Sequence, residues 1–108
     1  MVNPDDFVIE QCYFMESFYD QNLKIPKIRT VIYIGKNVLE KKEADEWYFQ
    51  DAGSFMEHGS FSNMSKGTER DIFVLDKDAL SLVYDLDGLI SDLTRLKKGV
   101  LGKRPEDL

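Results

Sequence analysis

The sequence predicts an α+β fold: an N-terminal helix, then two strand–strand–helix units forming a four-stranded, mainly antiparallel sheet with helices on one face. Three observations carry this. Residues 28–34 (IRTVIYI) are a β-branched run that stops at Gly35. The order strand, strand, helix occurs twice, over 28–58 and 70–98, and each second strand runs through a tyrosine to an aspartate three residues on (Tyr48/Asp51 and Tyr84/Asp87). The chain of 108 residues, 43% hydrophobic and 31% charged, has the composition of one ordinary globular domain. That domain is placed at 1–99, with 100–108 as a flexible tail.

Each element has its own signal. Asn3 is a candidate N-cap with Pro4 in the first helical position and Asp5 and Asp6 in the first turn, so a helix is expected to start there. Over 7–20, Glu10, Glu16, Ser17 and Asp20 share one helical arc, and Phe7, Val8, Cys12, Phe14, Met15, Phe18 and Tyr19 share the other. The aromatic and β-branched content of this segment equally suits a strand. Pro26 marks a break before the 28–34 strand. Trp47, Tyr48 and Phe49 form a short aromatic strand, and Ser54 with Glu57 reads as a capping box for a helix over 55–58 that ends at Gly59. Residues 59–69 are rich in Gly, Ser and Asn and read as a loop. Residues 72–75 are continuously apolar and are expected to be the central strand, while 80–86 place Leu80, Leu82, Tyr84 and Leu86 on one face at strand period. Asp87 is the expected cap of a last helix with Leu89, Ile90, Leu93 and Leu96 as its buried stripe, ending at Gly99.

The formal net charge of −6 opposes unaided binding to nucleic acid, which needs a basic face. No apolar run approaches the about 18 residues of a membrane span. The first six residues (MVNPDD) are acidic where a secretory leader is basic, so the expected compartment is the cytoplasm. One cysteine, Cys12, allows neither an internal disulfide nor a cysteine-based zinc site, and its place on the apolar arc predicts burial. His58, the one histidine, is expected to cap its helix, and nothing near Cys12 in sequence would activate a thiolate. Asp85-Leu86-Asp87-Gly88 resembles part of a calcium loop, but that register puts Val83 and Thr94 where acids are required. Residues 59–68 lack the glycine before lysine and the following helix of a phosphate loop. The expectation is a non-enzyme without metal or cofactor.

Two features point to binding. A turn over 77–79 would set Asp71 opposite Asp85 and Glu69 opposite Asp87, gathering four carboxylates at the open end of a hairpin. Like charges placed so repel. Arg70, Arg95 and Lys98 would neutralise them, or a basic partner would. The broad apolar arc of the first helix marks Phe7, Tyr13, Phe14 and Phe18 for self-association as a homodimer. The leading expectation is therefore a protein-binding module with an acidic face for a basic protein. In size and charge alone, with no shared motif, the chain is similar to small acidic bacterial immunity proteins. The alternative is a small-ligand sensing or regulatory domain, its pocket lying between the sheet and the 59–69 loop and lined by Trp47, Tyr48 and Phe61.

Overall fold

The computed structural model describes residues 2–38, 44–61 and 71–97 and is α+β. Its strands are β1 (Cys12–Phe18), β2 (Pro26–Lys36), β3 (Trp47–Asp51), β4 (Ile72–Leu75) and β5 (Val83–Tyr84). Helix α1 (Ala52–His58) follows β3, and α2 (Leu86–Leu96) follows β5. The five described strands form one antiparallel sheet in the order β4-β3-β2-β1-β5.

The N-terminal helix expected over 7–20 is not formed. Its start signal works as read: Asn3 Oδ1 accepts from the Asp5 N–H at 3.0 Å, with Pro4 opening the turn. The turn stops after Asp6, and β1 takes up the aromatic segment instead. A β-branched strand such as β2 needs a neighbour on each side, and the β1–β2 hairpin supplies one, running from Cys12 opposite Ile32 to Phe18 opposite Pro26. Asp20 closes that hairpin by accepting from the Lys24 and Ile25 N–H groups at 3.0 and 2.8 Å. Those bonds, Ile25 foremost, hold its carboxyl below the ordinary range. Cys12 is exposed rather than buried, because strand period turns it away from the aromatic core that Tyr13 enters.

β2 is the middle strand, and its residues Val31, Ile32, Tyr33 and Ile34 are all buried. Both faces of the sheet are covered there. β4, expected to be central, is an edge strand with Val74 44% exposed. The 80–86 strand is split: residues Ala79–Leu82 make a turn of 3-10 helix, and only Val83 and Tyr84 pair, with β1 rather than β4. The link from β4 to β5 therefore crosses the sheet, and Leu80 on it is packed among Tyr13, Val31, Tyr33, Trp47, Phe49 and Val83. Phe7 completes this core, with its ring edge-on to Tyr13 and Phe49 at 5.0 and 5.4 Å. The Tyr13 hydroxyl accepts from the Val8 N–H at 2.9 Å and fastens the N-terminal segment to the sheet.

The helices cover the opposite face. By register Glu16 lies across from Ile28 and Gln50 across from Ile32, so Glu16 and Gln50 share that face. Gln50 donates to Ser54 Oγ and to the Gly59 carbonyl and accepts from the Phe61 N–H, tying α1 and the chain after it to β3. Both helix caps lie upstream of their expected positions. Asp51, not Ser54, caps α1 by accepting from the Ser54 N–H, and Asp85, not Asp87, caps α2 by accepting from the Gly88 N–H at 2.7 Å. A side chain at Gly88 would meet that capping oxygen at 3.0 Å.

Candidate functional site

β1 and α2 meet at Glu16. Strand period puts Glu16 on the helix-covered face between Phe14 and Phe18, and α2 brings Asp92 and, three residues on, Arg95 against it. Tyr84 of β5, paired with Phe14, borders the same cluster. Glu16 is 3% exposed and Asp92 8%, whereas Arg95 is 79% exposed and reaches inward to pair with Asp92. Among the described residues no hydrogen-bond donor reaches either oxygen of Glu16. Its neighbour Asp92 is also an acceptor, so the two carboxyls can join only through a shared proton.

Burial, then the proton-sharing contact with Asp92 and its charge, push the Glu16 carboxyl up to about 7, against the pull of Arg95. Burial first, and then the charges of Asp92 and Glu16, also raise the Tyr84 phenol, with Arg95 opposing. The cluster of one ion pair with an exposed cation and one buried lone carboxyl can hold a proton near neutrality or accept a cation. Among the described residues no three His, Cys, Asp or Glu side chains converge as metal ligands.

A cleft of about 260 Å³ is bordered by Glu16 together with Lys27, Arg29 and Phe73, and two clefts open on the α2 side of the cluster. One, of about 210 Å³, has Glu16, Asp92 and Arg95 on its polar side and Phe18, Leu23, Leu82 and Leu96 on its apolar side. The other, of about 380 Å³, is lined by Tyr84, Gly88, Ser91, Asp92 and Arg95 and does not include Glu16. Leu23 at the β1–β2 hairpin end and Leu82 are both exposed and line the cleft of about 210 Å³, which gives it an apolar mouth.

The structure does not assemble the acidic hairpin read from the sequence. Asp71 precedes β4 at one sheet edge, and Asp85 follows β5 at the other. Four strand spacings of about 4.8 Å, or roughly 19 Å, separate those edges. Asp85 and Asp87 do lie together at the start of α2, where Asp85 is occupied as the cap and Asp87 is exposed; Glu69 lies outside the described residues. Of the residues assigned to self-association, Tyr13 is 2% exposed and Phe7 packs with it in the core, while Phe14 and Phe18 are half-buried on the helix-covered face. Trp47 and Tyr48 are successive, buried residues of β3 and face opposite sides of the sheet, so they do not line one pocket with Phe61. Trp47 instead borders a cleft of about 290 Å³ with Asp45, Asp76 and Lys77.

Sequence reasoning placed Glu16 on a solvated helical arc and so missed it. The signal that finds it is a lone acid inside the run CYFMESF, read at period two instead of 3.6. The fold and cluster together define a small α+β protein with a buried, incompletely paired carboxylate at a strand–helix junction. Against family models, curated proteins and solved structures the chain shows no match. No described helix is long and apolar enough to cross a membrane.

Proposed function

We propose that the chain is a non-enzymatic protein-binding module that docks a basic partner over the β1–α2 junction, in the manner of an inhibitor or immunity protein. One observation carries the reading: a carboxyl group 97% buried lines a cleft and has no donor among the described residues. Buried charges without partners are costly, and a complementary charge from outside removes that cost. The apolar mouth formed by Leu23 and Leu82 supplies contact area, and the net charge of −6 draws a basic protein to it.

The reading is tested with an array of short immobilised peptides that share apolar flanks and differ at the centre: lysine, arginine, norleucine, glutamine or glutamate. Binding of the lysine and arginine members, weakening as salt rises, is the expected result. Equal binding across the array, or preference for the glutamate member, would overturn it.

A further inference from the structure

Resting on the basic-partner reading, we infer that the cleft of about 210 Å³ is a socket for a single lysine or arginine side chain, its head against Glu16 and its stem against Phe18, Leu23 and Leu96. The charge count fits one guest. Asp92 pairs with Arg95, Glu16 accepts from no donor among the described residues, and one added positive charge makes the ionised cluster neutral. The size fits too: pockets for drug-sized ligands run from about 300 to 1,000 Å³, and this cleft is smaller. A carboxylate at one side and aliphatic and aromatic walls at the other match a side chain with an alkyl stem and a charged tip.

The guest enters in exchange for a proton. Among the described residues the titratable and charged groups facing Glu16 on the α2 side are Asp92 and Arg95 from α2 and Tyr84 from β5; Lys27 and Arg29 of β2 stand on the other face by register and border a separate cleft that Glu16 also reaches. The empty site keeps the Glu16 proton up to about pH 7. An ammonium or guanidinium donates far more strongly to the carboxylate than to the protonated form, so its charge-assisted N–H···O bonds replace the O–H and the proton leaves to solvent.

The probes are n-butylammonium and n-butylguanidinium chlorides, titrated into the full chain and followed by amide NMR and by calorimetry in buffers of different ionisation enthalpy. Saturable shifts at Glu16, Tyr84 and Leu96 are expected, with affinity rising about tenfold from about pH 6 to about pH 8 and close to one proton released at the lower pH. Glu16→Gln should lower affinity at least about tenfold and abolish proton release. Should that variant fail to fold, Leu23→Lys and Leu23→Glu at the exposed mouth should weaken and strengthen binding, respectively. Shifts confined to other surfaces, or binding without proton release, would overturn the socket. Peptide binding that survives in a folded Glu16→Gln variant would sink the socket and leave the basic-partner reading standing. Butylguanidinium binding at Glu16 without any lysine or arginine preference on the array would do the reverse.

Discussion

A carboxyl sealed from water with no donor raises the free energy of the folded state unless it keeps its proton. The Glu16 carboxyl rises from 4.5 to about 7 on folding, so the folded chain binds a proton that the unfolded chain releases. Its contribution is fully present below about pH 4.5, falls as pH rises through about 7, and is absent above. Thermal melts should therefore show Tm declining across that window. Glu16→Gln, whose amide donates to Asp92 at every pH, should flatten the decline and be more stable than the parent by about 1–3 kcal/mol at about pH 8. A parent curve that rises through the same window would show that Glu16 folds as a satisfied anion. Tyr13 permits a second test at this scale. Removing its hydroxyl in Tyr13→Phe leaves the ring in place but strands the Val8 N–H, at a cost of about 1 kcal/mol in chemical denaturation. The Val8 amide should then exchange faster.

At the scale of elements, local sequence was sufficient where one structure alone suited the residues. The β-branched run of β2, the aromatic run of β3 and the apolar run of β4 were all legible as strands. Residues 7–20 were not, because Phe, Tyr and Met satisfy both periods, and only the presence of an uncovered neighbour in β2 decides between them. The candidate site was lost with that element, since a one-in-two pattern buries Glu16 and a helical arc exposes it. Caps were misplaced by the same cause: Asp51 and Asp85 sit in strand-end geometry that sequence spacing does not reveal. Two measurements follow. Amide exchange should be slowest in β2, at Val31, Ile32 and Tyr33, and faster in the edge strand β4. Asp85→Ala should cost about 1 kcal/mol through the lost cap of α2, and Asp87→Ala, in the exposed first turn, a few tenths. Equal losses would place the cap elsewhere.

For the whole molecule, acidity and fold act on different quantities. Under the proposed function, the net charge of −6 would set how fast a basic partner arrives, and the β1–α2 junction how long it stays. In stopped-flow experiments with a basic peptide, raising salt from about 50 to about 500 mM should slow association several-fold and leave dissociation nearly unchanged. Glu16→Gln should do the opposite. A dissociation rate that responds to salt as strongly as association would place the decisive charges at the exposed rim. The strand order that makes this junction was the least legible feature of all, because pairing β5 with β1 depends on the link from β4 crossing the sheet around Leu80. Nothing local in residues 76–82 distinguishes a crossing from a hairpin.

That crossing has a consequence in time. β1 ends at residue 18, but its outer neighbour and the helix that covers Glu16 finish at residue 96. At about 5–20 residues per second, a ribosome takes roughly 4–16 s to make the intervening chain. Throughout that interval the outer edge of β1, with its aromatic side chains, has no strand to pair with. The nascent chain therefore carries an adhesive edge while residues 19–96 are being made. The site at Glu16 is complete only when α2 arrives, so a product truncated before α2 lacks the Asp92 and Arg95 side of it.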